Sequence, residues 1–243
     1  MPMDHWPVLL GASAAAYALA LLSAVAGFGG GVLLLPVFTA LFGLRMAVPM
    51  LTLTQLSSNG ARVWFNRHDL QWRLVGWFAL GAVPFAVAGG LLLAHAPLSP
   101  LKRVLGGFLI GLVVWRRVRP QPGKPKDPVF AAVGAGSGFG SALLGSVGPL
   151  TAPFFLAYGL TRAAYIGTEA ASALTMHLAK LTAYGTGDLL TRTVLGYGLA
   201  LTPAVLAGAW TGKKILTRVG DRVFVLLVEA GLVVSGLLFL GGM

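Results

Sequence analysis

The sequence predicts an all-α polytopic membrane protein made of two inverted-topology repeats of about five segments each, with short or broken helices at glycine-rich stretches. Hydrophobic residues make up 56% of the chain and charged residues 10%, whereas about 25% of the residues in a soluble domain are charged. The segment from His5 to Leu44 carries no charged residue and has twice the roughly 20 residues that one membrane-spanning helix needs. Glycine fills four of the five positions 27–31 inside it, and a stiff helix does not continue through such a run.

The two halves of the chain match each other when the sequence is shifted by 117 to 119 residues. Glycines, prolines and arginines recur at this spacing, and single-residue loop insertions explain an offset that drifts by two. Fixed-offset similarity over half a chain indicates an internal duplication. The matched pairs are Gly31 with Gly148, Pro36 with Pro153, Arg45 with Arg162, Asn59 with His177, Arg62 with Lys180, Pro84 with Pro203, Gly89 with Gly208, and Arg103 with Arg222.

Composition also excludes several classes of protein. The net charge of +11 comes from basic residues at segment ends rather than on one stripe, so it predicts membrane-surface anchors and no nucleic-acid partner. The absence of cysteine excludes disulfides, thiolate chemistry and cysteine-based metal sites. The N-terminus lacks the basic region of a cleavable signal, and we expect the first helix to be retained.

The first repeat, residues 1–118, is expected to contain four spans and one short piece. The short piece is about 22 Å long at the helical rise, less than a full hydrocarbon core. The third helix carries a crowd of polar residues, and Pro84 is expected to kink the fourth. The segments are 7–26, 29–43 (short), 47–66, 74–94 and, after a turn at 98–102, a fifth span beginning at 103–115.

The second repeat, residues 129–243, is expected to follow the same plan after a cytoplasmic linker at 119–128. The surrounding stretch 116–128 holds five basic residues and four prolines, which is typical of a solvated, extended linker. A second break is expected at 145–148, and a kink at Pro203. The segments are 129–144, 150–160 (short), 164–185, 194–212 and 223–240.

The distribution of basic residues favours five segments in each half. With the short pieces counted as crossings, four basic residues fall on one side and thirteen on the other, Lys180 aside; with four segments per half the split is nine to eight. Basic residues concentrate on the cytoplasmic side of membrane proteins. An odd number of segments inverts one half relative to the other and leaves both termini outside. Inverted repeats with broken helices are the architecture of secondary transporters.

A candidate anion site combines polar residues that the duplication makes equivalent. His177 and Lys180 are three apart and share one face of a helix, as do their counterparts Asn59 and Arg62. Charged groups inside a span usually face a cavity or a partner, and an Arg fork binds an oxyanion bidentately. Irregular backbone at membrane depth is tolerated where it lines a cavity, and helix N-termini at the breaks offer N–H donors. The predicted substrate-binding residues are Gly29, Gly30, Gly31, Asn59, Arg62, Gly145, Gly148, Ser172, His177 and Lys180.

Structural roles for the same side chains remain open at this point. Arg62 and Lys180 lie near enough to helix ends to snorkel, and Lys180 has the alternative of losing its proton when buried. A packing role for His177 is as well supported as a ligand or relay role. Glu169 is the predicted proton-coupling residue because it shares a helix with His177, whereas Glu229 is the alternative carrier.

No catalytic, cofactor or metal site is predicted. Val32 occupies the position where a dinucleotide-binding fingerprint needs its third glycine, and there is no G-K-S/T sequence of a P-loop. The four histidines are scattered and no cysteine accompanies them. A membrane-embedded enzyme needs a nucleophile–base pair or a metal cluster, and neither is visible.

Three stretches give the chain a family resemblance. They are Gly27-Phe-Gly-Gly-Gly through Pro36, Ser137-Gly-Phe-Gly-Ser-Ala-Leu-Leu-Gly-Ser-Val-Gly-Pro with Pro153, and Gly167-Thr168-Glu169-Ala170. With them the whole chain resembles the TauE/SafE family of bacterial membrane proteins, part of the 4-toluene sulfonate uptake permease superfamily. The second break departs from the family's usual run of glycines. The family is associated with export of sulfite and organosulfonates, and the resemblance implies an anion transporter of the inner membrane without fixing the anion.

The predicted function is secondary transport of a small sulfur oxyanion or organosulfonate, with export and proton coupling. The partners are this anion and the lipid bilayer of the cell inner membrane. The alternatives are a passive anion channel on the same frame and a transporter of another small organic anion. A channel differs by showing conductance without coupling to a pH gradient.

Overall fold

The fold was analysed in a computed structural model that describes residues 6–24, 31–118, 123–145, 147–215, 229–230, 233–234 and 236–241. Every regular element in these ranges is helical, and they contain no strand. The helices are α1 (Trp6–Ala24), α2 (Gly31–Phe42), α3 (Leu44–Phe65), α4 (Trp72–His95), α5 (Leu98–Val118), α6 (Val129–Leu144), α7 (Gly148–Ala157), α8 (Arg162–Thr186) and α9 (Arg192–Ile215).

The helix bounds correct one feature of the predicted order. The turn expected at 98–102 is wrong, because α5 begins at Leu98 and includes Pro100 in its first turn. The first four N–H groups of a helix have no partner within it, so a proline costs no hydrogen bond there. α5 also continues to Val118, two residues beyond the Arg116 where the basic stretch begins. Most of the predicted last span, 223–240, lies outside the described residues.

Both short helices end at a glycine in the left-handed region. α2 ends at Phe42 before Gly43, whose φ is 79°, and α7 is followed by Gly159, whose φ is 87°. A side chain is strained at such angles and glycine is not. Kinks are expected at Pro84 and Pro203, and α4 and α9 each continue as helices through these prolines.

The helices of the first half pack mainly against helices of the second. α3 packs on α8 and α9, α4 packs on α6 and α8, and α1 packs on α9. Glycines allow these backbones to approach closely: a Cβ at Gly81 or Gly134 would collide with main-chain atoms across the α4–α6 contact, and one at Gly208 with Tyr17 of α1. Small residues at such contacts are the usual means of packing helices in a membrane.

Two of the described helices stand out by their apolar composition. Within the described residues, α4 is long and apolar enough to cross a bilayer, and α6 is a shorter apolar helix. α4 buries glycines and alanines on one side and exposes Leu80, Val83 and Phe85 on the other. The polar residues of α3 and α8 face the centre of the helix packing, which places the candidate site there.

Candidate functional site

The centre of the α3–α8 contact holds a buried pair of polar side chains. Asn59 Nδ2 lies 3.3 Å from His177 Nε2, and the two residues are 3% and 1% exposed. Arg62 Nη1 donates to Asn59 Oδ1 at 3.1 Å, which fixes the orientation of the Asn59 amide. The amide nitrogen is then a donor, so Nε2 accepts and the neutral imidazole carries its proton on Nδ1.

Arg62 connects this pair to a carboxylate of the second half. Its Nη2 lies 2.8 Å from Glu169 Oε2, with the two side chains 20% and 6% exposed. A continuous chain of polar contacts therefore runs from Glu169 through Arg62 and Asn59 to His177. The structure brings together three residues that the repeat spacing had singled out, Asn59, Arg62 and His177, and joins to them the predicted proton-coupling residue Glu169. Arg62 points inward to them instead of snorkelling to the surface.

Lys180 is fully buried, and its side chain points to the end of α6 and not to the Asn59–His177 pair. Its Nζ donates to the Ser141 carbonyl at 3.2 Å, the Ser141 hydroxyl at 2.8 Å and the Gly145 carbonyl at 2.9 Å. These atoms belong to the end of α6, where unpaired carbonyls and the helix dipole favour a cation. No carboxylate pairs with Lys180 in the described part of the chain. Snorkelling is therefore wrong for Lys180, which holds the second break.

The second break lies between the end of α6 at Leu144 and the start of α7 at Gly148, and Ser146 within it lies outside the described residues. Gly145 has φ 80° and its N–H donates to Ser141 O at 2.8 Å. A Cβ on Gly145 would lie 3.0 Å from Leu51 Cδ1, so the break packs directly on α3. Gly148 begins α7 and accepts from the Thr151 hydroxyl at 3.0 Å. This geometry requires glycine at position 145.

The first break is described only at its end. Gly31 is the first residue of α2, whereas Gly29 and Gly30 lie outside the described residues. Their predicted role in substrate binding therefore stays a prediction.

Several buried polar atoms at the centre have no hydrogen-bond partner among the described residues. They include the Ser172 hydroxyl and His177 Nδ1 on α8, and the Ser137 hydroxyl on α6. Buried polar groups in native proteins are almost always paired with protein, water or ligand. An N–H on His177 and a hydroxyl on Ser172 are donors suited to an anion.

The sequence did not reveal which residues bind Lys180 or which side chains bond to the carbonyls at the end of α6. Ser141 lies in the family-like stretch 137–149, but no spacing rule links it to Lys180. The Tyr184 hydroxyl donates to Ala142 O at 2.6 Å and supports the same end of α6. Glu229, the alternative carrier, pairs with Arg117 at 2.7 Å instead of with the central residues.

A separate surface cavity of about 430 Å³ lies beside the linker. Asp127 organises it by accepting from the Tyr158 hydroxyl at 2.8 Å and pairing with Arg73 at 2.8 Å. The hydrogen bond to Asp127 raises the pKa of Tyr158, and burial and the Asp127 charge add to the effect.

Comparison with known proteins gives one match. A family model described as "Sulfite exporter TauE/SafE" matches residues 12–239, nearly the whole chain and both candidate breaks. No curated protein and no solved structure matches the chain.

Proposed function

The chain belongs to the sulfite exporter TauE/SafE family, and from that premise we propose that it is a proton-coupled secondary transporter that exports a small sulfur oxyanion or organosulfonate across the cell inner membrane. Members of the family are integral membrane transporters rather than enzymes. The observation that carries the proposal is the buried cluster of donors between the two halves, above all the unpaired Nδ1 of His177.

The inverted repeat is part of the proposal. If α1 to α4 correspond to α6 to α9, the α4–α6 contact corresponds to α1–α9, the α4–α8 contact corresponds to α3–α9, and α3–α8 corresponds to itself. All five contacts are present, and this exchange pattern is expected of two halves related by a pseudo-twofold axis. The uneven distribution of basic residues between the two sides of the membrane supports an odd number of crossings in each half. In this topology the linker is cytoplasmic and both termini are outside.

The anion is proposed to bind at Arg62, Asn59 and His177. The Arg62 fork supplies two charge-assisted donors for a sulfur oxyanion, and the His177 Nδ1–H and the Ser172 hydroxyl supply neutral ones. Low dielectric in the buried centre strengthens each of these hydrogen bonds.

Glu169 is proposed to couple the anion to protons through competition. Glu169 occupies one edge of the Arg62 guanidinium, so anion and carboxylate compete for it. Proton uptake by Glu169 removes this competitor and favours anion binding, whereas proton loss restores the ion pair and expels the anion. A buried ion pair of this kind favours stepwise transport over an open channel.

Lys180 is proposed to act from the second break. The three contacts that its fully buried Nζ makes with Ser141 and Gly145 at the end of α6 hold Gly145 in position. The glycines of both breaks are proposed to form the substrate path, with Gly148 at the start of α7 and Gly29, Gly30 and Gly31 before and at the start of α2.

The proposal is tested by flux in proteoliposomes that contain purified protein. We expect sulfite efflux to be saturable. We also expect it to accelerate when the side that sulfite leaves is made the more acidic one, because proton uptake by Glu169 favours anion binding there. A thermal-shift screen with sulfite, sulfate, thiosulfate, sulfoacetate and taurine identifies the substrate by the largest stabilisation. Ohmic conductance that ignores the pH gradient would contradict the proposal and identify a passive channel.

A further inference from the structure

We propose that the α3–α4 connection, residues 66–71, is the gate over one side of the central cluster, and that Gly167 and Thr168 are positioning residues that hold it closed. This inference rests on the proposed transport function and deepens it, because it assigns a role to the loop and to two residues outside the anion contacts. Three consecutive residues of α8, from Gly167 to Glu169, each contact the loop or the end of α3 that precedes it.

Gly167 allows the loop to lie directly on the α8 backbone. A Cβ at this position would lie 2.9 Å from Asn66 Cβ and 3.0 Å from Leu70 Cδ2. Both distances are too short for ordinary packing, so even a methyl group would push the loop away. Glycine here is explained by the close approach and needs no special backbone angle.

Thr168 ties the far end of the loop to α8. Its hydroxyl accepts from the Gln71 N–H at 3.0 Å, immediately before α4 begins. Thr168 is fully buried although Gln71 itself is exposed, so the loop covers this hydroxyl. The near end of the loop is tied to Arg62, whose carbonyl accepts from Asn66 Nδ2 at 2.7 Å.

The next residue along α8, Glu169, pairs with Arg62 directly beneath the loop. Exposure falls from Arg62 to Asn59 and His177, which places the loop and the ion pair between solvent and the buried donors. A loop that leaves Gly167 and Thr168 carries Asn66 with it and disturbs the turn that holds Arg62. In the proposed gate, loop opening is coupled to release of Arg62 from Glu169 through the main-chain contact of Asn66 with Arg62.

The absence of cysteine makes the gate measurable without transport. Ser172→Cys places a thiol at a buried position of α8, and a membrane-impermeant thiol reagent reports water access to it. Thr168→Val keeps the shape of the side chain and removes the acceptor. We expect about fivefold faster labelling, which is the change in an opening equilibrium that one lost hydrogen bond produces.

Three matched variants make the result specific. Thr168→Ser restores the hydroxyl and is expected to restore slow labelling. Thr182→Val removes a hydroxyl that bonds only within α8, to Ala179 O at 2.7 Å, and is expected to change nothing. Ala142→Cys reports a fully buried position of α6, and it is expected to stay unlabelled unless the protein unfolds.

Equal labelling rates in Thr168→Val, Thr168→Ser and the parent would overturn the gate. Labelling of Ala142→Cys together with Ser172→Cys in the Val variant would also overturn it, since Thr168 would then support the whole fold. Labelling does not depend on substrate. A gate that behaves as expected in a protein that moves no anion would refute the proposed transport and leave the gate intact.

Discussion

The side chains of Asn59 and His177, which lie 118 residues apart and are equivalent in the proposed repeat, contact each other with 3.3 Å between Nδ2 and Nε2. In a pair of related halves, a residue reaches its own equivalent only near the axis that relates them. The contact therefore marks the centre of the proposed repeat. The two side chains differ, so in the proposed site the two halves present different donors to the anion.

The first prediction concerns His177. His177→Ala removes the unpaired Nδ1–H and the acceptor of the Asn59 amide, and leaves a donor of Asn59 unpaired. We expect sulfite flux in proteoliposomes to fall about tenfold, since each lost hydrogen bond to a charged ligand costs about 1.5–3 kcal/mol and 1.4 kcal/mol is a factor of ten.

His95→Ala is the control for His177. His95 is exposed and its Nδ1 lies 2.9 Å from Leu91 O of its own helix, so this variant is expected to keep the parental rate. Parental flux in a folded His177→Ala protein would remove His177 from the site.

The central contacts show what a single sequence can and cannot predict. The 118-residue spacing singled out Asn59, Arg62, His177 and Lys180, because the proposed duplication makes these positions equivalent in pairs. The same spacing could not distinguish the inward-facing Arg62 from Lys180, which caps α6. That difference depends on where Ser141 and Gly145 lie in space, and the packing of α6 on α4 decides it.

The helices show a similar division. The apolar run between the proline-rich linker and the second glycine break predicted α6 with its observed bounds, 129–144, because proline and glycine mark helix ends in sequence. The start of α5 was misplaced because proline in a first helical turn and proline in a loop look alike in sequence. Gly167 was noticed only through family resemblance, since nothing local shows that Asn66 and Leu70 will pack against it.

The second prediction separates the two candidate proton carriers. Glu169→Gln removes the negative charge that competes with the anion for Arg62, and we expect flux to lose its dependence on an imposed pH gradient. Flux is to be measured at several inside and outside pH values in proteoliposomes.

Glu229→Gln is the matched variant. Glu229 also pairs with an arginine, Arg117, but lies away from the central cluster, so its substitution is expected to leave pH coupling intact. The opposite pattern, with coupling lost only in Glu229→Gln, would move the carrier to the last helical segment.

The third prediction concerns the cation at the second break. Lys180→Met keeps the length of the side chain and removes all three donors, which leaves Ser141 O with the Gly145 N–H as its partner and Gly145 O with the Ser141 hydroxyl. We expect a loss of unfolding free energy of about 1.5–3 kcal/mol, together with a fall in flux of about tenfold because Lys180 no longer holds the break. Thermal unfolding in detergent and flux in proteoliposomes measure the two effects.

Ser141→Ala tests whether the contacts or the charge of Lys180 matter for flux. It removes one acceptor and keeps the cation, so stability is expected to fall by about 1 kcal/mol with most flux retained. Unchanged stability and flux in Lys180→Met would show that the buried cation is dispensable.

The fourth prediction concerns the close contact of α4 and α6. Gly134→Ala places a methyl group against the Phe78 carbonyl region, and we expect it to destabilise the protein by about 1–3 kcal/mol through overpacking. Gly136→Ala, on the same helix, meets nothing within 4 Å and is expected to be neutral or stabilising. Equal thermal shifts in the two variants would mean that the helices do not cross at Gly134.

The fifth prediction uses the hydrogen bond between Tyr158 and Asp127. This bond raises the pKa of Tyr158 above its usual value of 10.0 because the carboxylate holds the phenol protonated. Its stabilising contribution is therefore present below pH 10 and is lost as the pH rises through the raised pKa. Asp127→Asn is expected to move the Tyr158 titration to lower pH, measured as the phenolate absorbance lost in a Tyr158→Phe difference spectrum. A titration midpoint unchanged by Asp127→Asn would show that burial alone raises this pKa.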